Sequence, residues 1–233
     1  MGKDKTIIGV IGGMGPLATV DFYRRMIENT SGDNDQDHLH VIIDSNTRIP
    51  DRSAAIESGN LEPLLRALEE SANRLVAAGA QLIAIPCVTA HVVYDELQQR
   101  CPVEILHIVK EVELAFARTS YARPLLLASR GTVASRLFER FFNGVELFVP
   151  NSDTSACGGA ERLRSAIADI KACRIQAARS VLLDLVERHG EHTDSVLVGC
   201  TDISAALNGR LRDERVFDAS GILASAVCER FNA

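Results

Sequence analysis

The feature that most constrains this chain is a repetition at half its length. An apolar run ending in a cysteine occurs twice, as Leu82-Ile-Ala-Ile-Pro-Cys87-Val-Thr89 and as Ser195-Val-Leu-Val-Gly-Cys200-Thr201. The cysteines stand 113 residues apart, and the apolar runs that open each half, at Ile7 and at Pro124, stand 117 apart. In a chain of 233 residues, such a period predicts two similar lobes of one design. Within the first half, strands are expected at Ile7–Ile11, His40–Asp44 and Leu82–Ile85, and helices at Leu17–Asn29 and Leu61–Ala78, the latter closed by Gly79. A polar loop is expected from Ser45 to Asn60. The second half repeats the alternation: strands at Pro124–Ala128, Glu146–Val149 and Ser195–Val198, with helices near Val133–Phe142 and Ile175–His189.

Strands alternating with helices imply an α/β fold, each lobe a parallel sheet flanked by helices. The junction is expected in a helix around Val109–Arg118, with residues 1–112 and 217–233 forming the first lobe and 113–216 the second. The last helix, Ile222–Phe231, is free to pack back on the first lobe. Ligands of open α/β sheets bind beyond the carboxyl ends of the strands. Both Cys87 and Cys200 follow such ends, with helical segments expected at Ala90–Arg100 and Ile203–Leu211, so facing lobes would set one thiol on each side of a cleft. A helix N-terminus favours a thiolate, and Thr89 and Thr201 add hydrogen-bonding groups. Two opposed acid/base groups are what inversion at a carbon centre needs: a thiolate takes the proton from one face and a thiol returns one to the other. Cys101, Cys157, Cys173 and Cys228 are read as small buried apolar residues.

At this point the chain resembles the aspartate/glutamate racemase family along nearly its whole length. The resembling segments are Gly12-Gly-Met-Gly-Pro-Leu-Ala-Thr19 with Asp21-Phe-Tyr23, Asp44-Ser-Asn-Thr-Arg-Ile-Pro-Asp-Arg52, Pro86-Cys-Val-Thr-Ala-His91, Ile170-Lys-Ala172 and Gly199-Cys-Thr-Asp202. The resemblance implies two pseudo-symmetric lobes with the active site in the cleft between them, a homodimer, and no pyridoxal phosphate or metal. It also implies Cys87 and Cys200 as the catalytic thiols. By the same resemblance Arg48 holds one substrate carboxylate and Lys171 another, Met14 and Asn46 line the cleft, and the substrate is acidic, aspartate before glutamate. Asp51 and Arg52 are expected to pin the loop by pairing. Two positions depart from the family pattern: Val88 stands where Asn is usual, and Asp202 where Glu is usual. Both bear on the substrate, and a broad-specificity racemase, a related cysteine-dependent isomerase or a racemase-like dicarboxylate-binding protein is the alternative.

Other classes fit less well. Gly13-Met-Gly15-Pro-Leu-Ala18 follows a strand and has a dinucleotide-loop spacing, with Asp44 as a ribose partner, but Pro16 removes an amide where a phosphate wants donors. His38/His40 and His189/His192 have metal-like spacings away from the cysteines, whereas His91 is placed to orient Cys87 or to cap a helix. A net charge of −6 argues against a nucleic-acid partner. No apolar run approaches the ~18 residues of a membrane span. The start, Met1 to Thr6, lacks a secretory core and fits only a loose myristoylation pattern at Gly2. With six cysteines and no C-x-x-C pair, a cytoplasmic location with reduced thiols is expected.

Overall fold

Strand β1 (Ile7–Gly12) is buried along almost its whole length, the environment of a central parallel strand with both faces covered. The structure, a computed structural model, describes residues 6–150, 158–211 and 213–232. β1 is flanked by β2 (His40–Ser45) and β3 (Leu82–Ala84), and β4 (Glu104–Leu106) extends the sheet beyond β3. All pairings are parallel, and the order is β2-β1-β3-β4. The second sheet joins β5 (Pro124–Ala128), β6 (Ser195–Gly199) and β7 (Val216–Asp218) in that order, again parallel. The expected strand at Glu146–Val149 is reduced to a single parallel bridge between Phe148 and Leu125. It runs beside β5 where β2 runs beside β1, so the two sheets share one plan.

The helices are α1 (Pro16–Asn29), α2 (Arg52–Ser58), α3 (Glu62–Ala77), α4 (Tyr94–Arg100), α5 (Ile108–Phe116), α6 (Arg130–Ala134), α7 (Gly159–Lys171), α8 (Ile175–His189), α9 (Thr201–Leu207) and α10 (Ala219–Asn232). Several differ from expectation for local reasons. α2 interrupts the expected polar loop because Asp51 caps it, accepting the Ala54 N–H at 2.9 Å, and Gly59 ends it in the left-handed region at φ 69°. The helix expected at Val133–Phe142 is the short α6 followed by turns, and the one expected at Ala90–Arg100 is a 3₁₀ segment, Val88–Val93, leading into α4. α9 starts directly after Cys200 and stops at Asn208, a left-handed residue with φ 45°.

Three apolar clusters hold the molecule together. One lies in the first lobe around Ile83, Leu68 and Leu97, and one in the second around Leu125, Leu182 and Ile203. The third joins Val10 of β1 and Leu126 of β5 with Leu223 and Val227 of α10. Through it α10 packs on α1 and α5, so the lobes share a core. Cys101 and Cys228 are buried as expected, but Cys173 is exposed at a turn with φ 60°, outside any apolar cluster. Cys157 and Gly2 lie outside the described residues. Among the described residues no helix is long and apolar enough to cross a membrane.

Candidate active site

Cys87 and Cys200 occupy equivalent positions. Each follows a strand in extended conformation, with φ −154° and −140°, and each is the cap residue of the helical segment that comes next. Both are buried, at 5% and 9% exposure. They line one cavity of about 780 Å³ at the carboxyl ends of the two sheets. Met14, Val88, Thr89, Lys171, Thr201 and Asp202 line it as well. Asn46 and Arg48 do not: the Asn46 amide is spent on Ser71 Oγ at 3.1 Å and the Arg48 backbone N–H at 3.1 Å, and the Arg48 side chain is exposed.

The loop's other arginine takes the inner position. Arg52, the first residue of α2, lines the cavity and donates to the carbonyl oxygens of Met14 at 3.1 Å and Pro50 at 3.2 Å. Burial works against its charge, but interaction with Cys87, by charge and by a side-chain hydrogen bond, together with the charges of Asp51 and Asp202, holds its pKa above the usual value. The expected Asp51–Arg52 pairing is therefore replaced by two separate tasks, since Asp51 caps α2 and Arg52 faces the thiol. Sequence reasoning missed this. The signal available was the capping position of Asp51, which starts a helix and turns the next side chain away from the loop.

The second thiol has a different environment. Burial pushes Cys200 up to about 12, with the Asp202 charge acting in the same direction and backbone N–H groups of Ile203 and Asp202 opposing it. The helix N-terminus thus fails to make a thiolate here, because desolvation outweighs it. Asp202 is itself raised by burial, against the pull of Lys171 and Arg52. Its Oδ2 lies 4.0 Å from Lys171 Nζ. The cavity thus places a thiol at Cys200 opposite a thiol attended by a cation at Cys87.

Cross-lobe hydrogen bonds fix the two sides. Thr89 Oγ1 lies 2.8 Å from both Ser129 Oγ and Thr132 Oγ1, Ser53 Oγ accepts the Gly131 N–H at 3.1 Å, and Thr201 Oγ1 donates to the Pro86 carbonyl at 2.9 Å. His91 is buried, and burial lowers its pKa. Its Nε2 accepts the Ile108 N–H at 3.3 Å, which leaves Nδ1–H to donate to the Cys87 carbonyl at 3.0 Å. His91 therefore holds the backbone of Cys87 and not its sulfur.

The glycine turn serves packing. A Cβ at Gly13 would meet the Asn46 backbone at 2.5 Å, and one at Gly15 would meet Asp202 Oδ1 at 2.9 Å. Thr19 Oγ1 accepts the Gly13 N–H at 2.9 Å, and Asp44 is paired with Arg74 at 2.8 Å. These groups are committed elsewhere, so the dinucleotide reading loses its donors and its ribose partner. Among the described residues no three His, Cys, Asp or Glu side chains are grouped as metal ligands.

A family profile described as Asp/Glu/hydantoin racemase matches residues 11–227. The chain belongs to that racemase family. It is 28% identical to the broad specificity amino-acid racemase RacX of Bacillus subtilis strain 168, over 97% of this chain and 99% of that one. Its fold matches the aspartate racemase of Picrophilus torridus with a TM-score of 0.86, at 24% identity over 97% of this chain and 94% of that one. An aspartate racemase homologue from Pyrococcus horikoshii OT3 matches with a TM-score of 0.75, at 25% identity over 98% of this chain and 100% of that one. The racemase family thus supplies the reaction class, and the α/β lobes are those of its solved members.

Proposed function

We propose that this racemase interconverts the L and D forms of an amino acid by proton transfer between Cys87 and Cys200. The observation that carries the reading is the placement of both thiols, in matched backbone conformations, on one cavity between the lobes. Arg52 binds the α-carboxylate, because a guanidinium fork matches a carboxylate and spreads the charge that builds on it as the α-proton leaves. In one direction the Cys87 thiolate takes the α-proton and becomes a thiol. Cys200 then delivers its own proton to the opposite face and becomes the thiolate. The return direction reverses each step, so every turnover exchanges the protonation states of the pair. Both acid/base roles are filled by the chain, and no pyridoxal phosphate or metal is required. A reducing compartment such as the cytoplasm keeps both thiols available.

A second reading keeps the substrate acidic, as aspartate or glutamate. Its support is Lys171 on the cavity wall, a cation that would have to turn from Asp202 to meet a second carboxylate. We also propose a homodimer. Leu17, Val20, Tyr23 and Ile27 form an exposed apolar stripe along α1, and Ile43 of the edge strand β2 is exposed too. A stripe of this kind marks a contact surface.

The test of the mechanism is substrate turnover in deuterium oxide by Cys87→Ala and Cys200→Ala. Each variant should lose inversion by at least the ~10²–10⁴-fold of a general acid or base, while one thiol still supports exchange with retention. Full inversion by either variant would exclude the two-thiol route.

A further inference from the structure

We infer that the substrate carries a single carboxylate and an apolar side chain, of the size class of leucine, methionine or phenylalanine. This rests on the racemase reading and adds the substrate class to it.

The charges of the cavity decide the number of carboxylates. Four cations line it: Arg52, Arg130, Arg164 and Lys171. Arg130 is paired with Glu57 at 2.7 Å, Arg164 donates to Glu161 at 2.8 Å, and Lys171 faces Asp202 at 4.0 Å. Only Arg52 has no carboxylate within ion-pair distance among the described residues, and its buried Nε has no hydrogen-bond partner there. Arg52, the lining cation without a carboxylate partner among the described residues, has its Nε–H left to donate to one carboxylate, the α-carboxylate. A second carboxylate would have to share Lys171 with the buried Asp202, against the repulsion of that charge.

The walls agree. Val88 stands beside Cys87 on the first lobe, and Val133, Val149, Leu163 and Ile167 face the cavity from the second. An unpaired carboxylate against such a wall is strongly disfavoured, whereas an apolar side chain gains by leaving water. Apolar walls discriminate weakly between apolar groups of different length, so the preference is for a class and not for one member.

The experiment compares α-proton exchange and inversion in deuterium oxide for L-leucine, L-methionine, L-phenylalanine, L-aspartate, L-glutamate and L-lysine. The apolar three should exceed aspartate in kcat/KM by at least about tenfold and differ less among themselves. An added cation, Ile167→Arg, should move the leucine-to-aspartate ratio toward aspartate by about tenfold or more, with folding checked by thermal melting. Val133→Lys makes the same test from α6 if that variant does not fold. Preference of the wild type for aspartate, glutamate or lysine over all three apolar amino acids overturns the inference and leaves the racemase reading standing. Exchange with no amino acid overturns both. An unchanged ratio in a folded Ile167→Arg overturns the assignment of this wall to the side chain.

Discussion

Two residues carry most of the chemistry that is particular to this chain, Cys200 and Val88. In the unfolded chain a thiol ionises at about 8.5, whereas burial holds Cys200 near 12 in the folded one. Between those values the unfolded state releases a proton that the native state keeps. This group therefore lowers stability as pH rises from about 9 toward 12 and has no effect below that window. Urea denaturation should show a steeper alkaline loss in the wild type than in Cys200→Ala; parallel pH profiles would contradict the burial argument. Val88, 2% exposed, touches both the cavity and the shared core with Leu106 and Ile108. Val88→Asn should raise the aspartate-to-leucine ratio of kcat/KM. It should also cost about 1–3 kcal/mol for a buried amide lacking partners, read as a melting temperature lower by about 2–4 °C per kcal/mol. A folded variant with an unchanged ratio would remove position 88 from specificity.

At the scale of the element, α2 is the piece that makes the cavity cationic. It has only seven residues, too few to be stable alone, and its position depends on the Asp51 cap, on Gly59 and on contact with α6. The cap sits one residue before Arg52 and two before Ser53, which bonds across the lobes to Gly131. Asp51→Ala should cost about 0.5–2 kcal/mol of stability and raise KM more than it lowers kcat, since the α-carboxylate loses its positioned partner. Asp51→Ser, which also caps, should recover most of both. If Asp51→Ser is as impaired as Asp51→Ala, the residue acts through its charge and not through the helix start.

For the whole molecule, the shared core and the cross-lobe hydrogen bonds make one cavity from two lobes. α10 closes that arrangement by carrying the chain from β7 of the second sheet back onto α1 and α5. The opposite face of α1 is left apolar, with Val20 66% exposed. Light scattering should give a dimer mass for the wild type and a monomer mass for Val20→Asp, because a charge at the centre of the stripe would be buried unpaired. A monomeric wild type would exclude the α1 interface.

The sequence by itself determined the parts that depend on local pattern. Continuous apolar runs such as Pro124–Ala128 could only be buried strands, the strand–helix alternation required parallel sheets, and the half-length period put Cys87 and Cys200 at equivalent strand ends. The three-residue strands β4 and β7 escaped it, because each includes a charged residue, Glu104 or Asp218, whereas the equally short β3 is wholly apolar. α2 and α7 were missed as well, the first because its seven residues are mostly polar or small. Only the tertiary structure decided that Arg52 and not Arg48 faces the thiol, since the direction of a loop side chain is set by the cap that starts the next helix. It alone decided that burial raises the Cys200 thiol, because the apolar cluster that encloses it draws on residues as far apart in sequence as Leu125, Leu163 and Ile203. The charge balance that singles out Arg52 likewise arises between residues as far apart in sequence as Glu57 and Arg130, which only folding brings together.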